Sequence, residues 1–140
     1  MYAIPFNRAS FSGDEQAYIA RAVANGHISG DGPFTHKCHT LLEQKLGVSR
    51  ALLTTSCTHA LEMGALLLDI LPGDEVIVPS FTFVSTVNAF VLRGARPVFI
   101  DVRRDTLNLD ESLLEALITP ATKAIVLCTL PVWVARWTRS

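Results

Sequence analysis

Lysine is nearly absent from this chain of 140 residues: only Lys37, Lys45 and Lys123 occur. Basic and acidic side chains almost cancel, 12 against 13, for a net charge of −1, and no basic run or stripe interrupts the sequence. That balance argues against nucleic acid as a partner. Asp, Pro or Gly breaks every apolar run before it reaches the roughly 20 residues of a membrane helix, so no membrane partner is expected. The first residues show no charged segment, apolar stretch and small-residue cleavage site, so the expected location is the cytoplasm. Neither G-x-G-x-x-G nor G-x-x-x-x-G-K-S/T is present, which removes the usual nucleotide fingerprints. Cysteine is scarce too. Cys38, Cys57 and Cys128 are odd in number and form no C-x-x-C pair, the pattern of reduced intracellular thiols. His36 and His39 flank Cys38, but the cluster lacks the second ligand pair of a zinc site, and no metal is expected.

Apolar residues, by contrast, are plentiful. They make up 49% of the chain, and the mean hydropathy is +0.33, so a single domain has much to bury. Helical spacing runs from Asp14 to Asn25, with Ser12 or Asp14 as the start and Gly26 as the stop, and again from Phe34 to Leu46, ending at Gly47. Ala51–Thr55 reads as a strand and His59–Ile70 as a largely buried helix. The segment "PGDEVIVPS" supplies a turn and a strand, "VSTVNAFVLRG" a helix stopping at Gly94, and "RPVFIDV" another strand. Asp110 caps "ESLLEALI", and "TKAIVLC" closes the series as a strand. Strands alternating with helices through short connections predict an α/β fold, a mostly parallel sheet with flanking helices.

In such a sheet, ligands gather beyond the carboxyl ends of the strands, where helix N-termini point. The segment "TTSCTHAL" falls at one such place. Ser56, Cys57 and Thr58 are small enough for close backbone approach to an anion, and the helix that follows offers free N–H groups and a positive dipole end. The same residues also suit an ordinary N-cap with no ligand. At the next strand-to-helix turn, Phe81 and Phe83 follow Pro79 and Ser80, and one of the two is expected on the same rim, either stacked on a ligand ring or packed in the core.

The continuous stretch "TTSCTHALEMGALLLDILPGDEVIVPSFTFVSTVNAFVLRGARPVFIDVRRDTLNLDESLLEALITPATKAIV", with "IPFNR" and "SGDGPFTHKCHTLLEQKLG" before it, resembles the DegT/StrS-type sugar-nucleotide aminotransferases. The resemblance implies part of a fold-type I aminotransferase large domain over residues 1–127, with pyridoxal phosphate as cofactor. It also implies a dTDP-sugar acceptor, an amino-acid donor such as glutamate, and a homodimer. By the same resemblance, the backbone around Cys57, Thr58 and His59 would hold the cofactor phosphate. Phe83 fills the aromatic slot of the family's T-aromatic-V-A/S-T segment and would stack on the pyridine ring. Ser29, Gly30 and Asp31 lie in a segment that the family places near the substrate.

Such chemistry also needs a Schiff-base lysine and an acidic partner for the pyridinium nitrogen. None of the three lysines matches the family's lysine segment, and Asp101 reads as a turn residue, so this chain is expected to hold half a cofactor site, no catalytic residue and no activity alone. After "KAIVL" the family continues with a segment like V-H-F-A-G-V, whereas this chain has "CTLPVWVARWTRS". A coding sequence for V-H-F-A-G-V, shifted by one nucleotide, gives C-T-L-P-V and then Trp. We therefore read residues 128–140 as an out-of-frame tail, in which Trp133 and Trp137 have no evolved role. The sheet left behind would carry an uncovered edge, a cause of poor solubility. The genomic DNA beyond codon 128 is expected to continue, in another frame, into a lysine-bearing aminotransferase half. DNA with no such frame would overturn this reading.

Overall fold

Val76, Ile77 and Val78 are β-branched and stand between Pro72–Gly73 and Pro79, so they favour a short strand that is apolar on both faces. The computed structural model, which describes residues 8–129, places them in β1 (Glu75–Pro79), all five of whose residues are buried. Two parallel neighbours flank it, β2 (Arg96–Ile100) and β3 (Thr122–Ile125), in the order β2-β1-β3. Three strands with crossover connections give the mixed α/β architecture expected from the alternation.

The chain divides into two units, one up to Leu53 and one from Thr54 onward. In the second unit, α3 (Cys57–Leu67) and α4 (Val84–Val91) cover one face of the sheet. Ala65, Ala89 and Phe90 pack there with Ile70, Val76, Val78 and Ala95. The opposite face is closed by Leu109 and by Leu114 and Leu117 of α5 (Leu114–Leu117), packed on Ile77 and Ile100. Alternate residues of β1 thus feed two separate cores, as the pleat requires. At the amino end of β1 the buried Glu75 carboxylate pairs with Arg96 of β2 and accepts from Thr119 Oγ1 at 2.8 Å. Its burial is offset because both oxygens have partners.

The first unit contains α1 (Glu15–Ala24) and α2 (Pro33–Leu46), neither with a fully buried residue. Aromatic and cationic contacts link these helices instead. Tyr18 meets Phe34 edge-on with centroids 5.5 Å apart, and the Arg21 guanidinium lies 5.7 Å from both ring centroids.

Most element boundaries fall within two or three residues of those expected. The clear exception is Ala51–Thr55, which is irregular rather than a strand. Its backbone donors go to α2 side chains: Ala51 N–H to the Glu43 carboxylate at 3.2 Å and Leu53 N–H to His39 Nε2 at 3.0 Å. Donors satisfied this way make no ladder. The helix expected to reach Ile70 ends at Leu67, where Asp69 turns left-handed (φ 50°) and Ile70 N–H returns to the Ala65 carbonyl. The segment after Asp110 is a 3₁₀ turn over Glu111–Leu113 followed by the four-residue α5, not one helix. The last strand ends at Ile125 rather than Cys128. Trp133, Trp137 and the rest of 130–140 lie outside the described residues. No helix among the described residues is long and apolar enough to cross a membrane.

Two outcomes test this packing. Gly94 has φ 91°, and a Cβ built there would stand 2.8 Å from Pro72 Cγ, so Gly94→Ala should cost at least about 1 kcal/mol in a denaturant titration. Ser12 N–H and Gly13 N–H donate to the Glu15 carboxylate at the start of α1, holding its pKa at about 2, below its ordinary 4.5. A depressed folded-state pKa means the contribution is complete above the unfolded value and is lost as pH falls through the folded one. The start of α1 should therefore loosen as pH drops from about 4.5 towards 2, read as lower protection of the Ser12 amide relative to its intrinsic exchange rate at each pH, and Glu15→Gln should abolish that dependence.

Candidate functional site

α3 starts where Ser56, in extended conformation, turns its hydroxyl back onto the helix. Ser56 Oγ accepts from His59 N–H at 3.1 Å, and the Ser56 carbonyl accepts from Ala60 N–H at 3.1 Å. Among the small residues at this helix start, Ser56 is therefore the one that serves as the cap. The cap leaves the Cys57 and Thr58 N–H groups without a protein acceptor among the described residues. Ser56 and Cys57 are exposed and Thr58 is half-buried, so these donors face outward at the positive end of the helix dipole. His59 is held from behind, its Nδ1 2.5 Å from Thr55 Oγ1. The N-cap and the phosphate cradle are compatible, since one donor serves the cap and two remain.

The second half of the site follows β1. Ser80 N–H is anchored on the Ile100 carbonyl at 2.8 Å, and the chain then turns through Phe81 to Phe83, which occupies the N-cap position of α4. Phe83 is 75% exposed and Phe81 54%, so neither is a core aromatic in this chain. Thr82 Oγ1, between them, is buried without a hydrogen-bond partner among the described residues, a feature that sequence reasoning missed. An orphaned hydroxyl carries no periodic signature, so nothing in the sequence could have shown it.

The two helix starts belong to one rim. The turn after α3, at Pro72, and the turn after α4, at Gly94, press against each other. Leu61 of α3 and Val87 of α4 pack on the same core further up. Two helices with adjacent carboxyl ends and a shared contact have their amino ends on the same side. Cys57, Thr58 and His59 therefore share with Phe83 the edge beyond the carboxyl end of β1. Asp101 also closes a strand there, but its carboxylate accepts Val102 N–H at 2.8 Å, the turn role expected of it.

In the first unit, Ser29, Gly30 and Asp31 form an exposed bend that leads into α2. His27 organises it, with Nε2 3.1 Å from the Gly30 carbonyl and 3.4 Å from Ser29 Oγ. Gly32 lies against this ring, where a Cβ would come within 2.8 Å of His27 Cδ2. Asp31 is left-handed at φ 61° and faces His36 Nε2 at 3.6 Å. The sequence marks the bend but carries no signal for His27, the residue that pins it. Lys37 and Lys45 lie on α2 in the first unit and Lys123 on β3 in the second.

The donor set at the rim fits a phosphate attached to an aromatic ring: two free N–H groups, a threonine hydroxyl and an exposed phenyl face. Solved structures share this fold. An 3-amino-5-hydroxybenzoic acid synthase matches with a TM-score of 0.82 and 33% identity, over 90% of this chain and 33% of its own. A Streptococcus pneumoniae protein described as a sugar aminotransferase, Spr1654, matches in its PMP form with a TM-score of 0.79 and 32% identity, over 90% of this chain and 32% of its own. The same protein is also known in a PLP form. The Escherichia coli GDP-4-keto-6-deoxy-D-mannose-3-dehydratase with bound hydrated PLP, at 24% identity, shares the fold with a TM-score of 0.80 over 91% of this chain and 34% of its own. The chain spans about a third of the length of these relatives. Pyridoxal phosphate or its amino form is thus the cofactor that recurs among these neighbours. The sequence profile of the DegT/DnrJ/EryC1/StrS aminotransferase family matches residues 10–131, and the chain belongs to that family.

Proposed function

We propose that this chain supplies the phosphate-binding and ring-stacking half of a pyridoxal phosphate site in a sugar aminotransferase. The observation that carries the proposal is the pair of unengaged N–H groups, on Cys57 and Thr58, at an α3 start that shares its rim with the exposed Phe83. Cys57 and Thr58 would bind the phosphate by charge-assisted hydrogen bonds, with the Thr58 hydroxyl as a further donor. Ser56 keeps the helix start rigid, and Thr55 orients the His59 ring at the edge of the cradle. Phe83 would cover one face of the pyridine ring and exclude water from it. Pyridoxal phosphate, when bound, supplies the electron sink that lets an amino group move from a donor to a keto carbon.

In the whole protein, the amino group would pass from an amino acid, glutamate, to the 4-keto carbon of a dTDP-6-deoxy-sugar. The extended sequence resemblance favours dTDP-4-dehydro-6-deoxyglucose, with dTDP-4-amino-4,6-dideoxygalactose as product, the transaminase step of enterobacterial common antigen synthesis. Ser29, Gly30 and Asp31 are assigned to the sugar-nucleotide side, and a cytoplasmic homodimer is the assembly in which this would occur. Lys37, Lys45 and Lys123 are not assigned the cofactor-linking role, so this chain alone is proposed to be inactive. A second reading, a fragment that binds phosphate without catalysis, is favoured by the completeness of the Ser56 cap, which needs no ligand to form. A third, pairing with an intact aminotransferase, would show as co-purification.

Cys57 is the first residue of α3 and follows an extended Ser56, so proline fits there and removes only an N–H that the helix does not use. Cys57→Pro should retain helix content by circular dichroism yet weaken pyridoxal phosphate and inorganic phosphate about ten- to hundredfold, the worth of one hydrogen bond to a charged group. Phe83→Ala should weaken pyridoxal phosphate and leave inorganic phosphate unchanged. Equal weakening of neither ligand by Cys57→Pro would refute the cradle, and a Phe83→Ala variant with unaltered pyridoxal phosphate affinity would leave the phosphate-only reading.

A further inference from the structure

In the first unit, one cluster of side chains brings together two histidines that the proposed function does not use and Asp31, which it places on the sugar-nucleotide side. Asp31, His36 and His39 each present a potential ligand atom, and the three atoms lie within 4.8 Å of one another. Asp31 comes from the bend before α2, and the two histidines stand one helical turn apart on α2, where a spacing of three residues puts them on one face. Cys38, the donor that the sequence suggests between them, is not part of the group.

Asp31 and His36 stand 3.6 Å apart, beyond a good hydrogen bond. Four-coordinate zinc, with bonds of about 2.1 Å, sets its ligands about 3.4 Å apart. The carboxylate is thus at ligand-to-ligand spacing from the imidazole, on a residue whose backbone is left-handed at φ 61°. Two imidazoles and one carboxylate suit a borderline divalent ion such as zinc, with the remaining coordination position open to water.

We propose that Asp31, His36 and His39 form a zinc site that staples the Ser29–Asp31 bend to α2 and, on binding, releases the backbone at Leu53. The release follows from the chemistry of the His39 ring. Its Nε2 accepts Leu53 N–H at 3.0 Å, so in the free chain the ring proton sits on Nδ1. Zinc at Nε2 takes the lone pair that Leu53 uses. Zinc at Nδ1 displaces the proton to Nε2, where it confronts the Leu53 N–H. Either route breaks the same hydrogen bond. The site is therefore coupled to the end of the first unit by one proton, and that coupling distinguishes it from adventitious zinc on a lone histidine.

The test is calorimetric titration of the full chain with zinc chloride, alongside amide exchange at Leu53. One zinc per chain with micromolar affinity is expected, unchanged in Cys38→Ser and weakened at least about tenfold in His36→Ala, His39→Ala and Asp31→Asn. All four positions lie on the surface or half-buried, and circular dichroism checks that the helices persist. Saturating zinc should also accelerate Leu53 amide exchange. Absence of binding at millimolar zinc, binding abolished by Cys38→Ser, binding untouched by His36→Ala, or an unchanged Leu53 amide with zinc bound would each overturn the proposal.

Discussion

The complete burial of β1 is the constraint on which the second unit depends. A strand of five residues with no exposed face can exist only if both sides of its sheet are covered and both of its edges are paired. Val76 and Val78 require α3 and α4 on one side, and Ile77 requires Leu109 and α5 on the other. Parallel neighbours on both edges then require crossover connections. Each helix that returns along the sheet must point its amino end at the carboxyl edge of the strands. The position of the α3 and α4 starts on one rim is a consequence of burying three branched side chains.

The two ends of β1 handle polarity in opposite ways. At the amino end, Glu75 is buried and its oxygens are taken up by Arg96 and Thr119, which ties β1 to β2 and to the turn before β3. At the carboxyl end, two donors stay open: the exposed Cys57 and half-buried Thr58 N–H groups find no protein partner among the described residues. A fold can leave free donors cheaply where water or a ligand reaches them, and it must close them where neither does. The asymmetry closes one end within the protein and leaves donors at the other facing outward.

What the sequence could reveal followed from how local the cause was. Helices α1 to α4 are announced by spacing and by stop signals such as Gly47 and Gly94, whose left-handed backbones end helical segments. β1 is announced by its branched run. Ala51–Thr55 looks equally strand-like, with apolar and threonine residues in a row, and yet its N–H groups go to Glu43 and His39. Strand identity depends on a partner, and partners lie far away in sequence. The site divides the same way. The small residues of "TTSCTHAL" signal a helix start that tolerates an anion, and the spacing of His36 and His39 is visible too, while the contacts of His27, the burial of Thr82 and the approach of Asp31 to the histidines depend on backbone turns that spacing does not announce.

The first unit presents a different balance from the second. Its helices have no fully buried residue, and Ile19, Val23, Ile28, Leu41 and Leu46 are all more than half exposed. Burial therefore cannot be what holds the Ser29–Asp31 bend in its unusual backbone; local polar contacts must do so, through His27 and the close fit of Gly32 against its ring. Such contacts are directional and individually weak, so the bend is specified in shape without being fixed by a core. A segment of that kind yields to what touches it. The rim on α3 and α4 differs because the packed sheet beneath it sets its geometry in advance. The start of α3 is thus preorganised by packing, whereas the bend owes its shape to local contacts and can adapt.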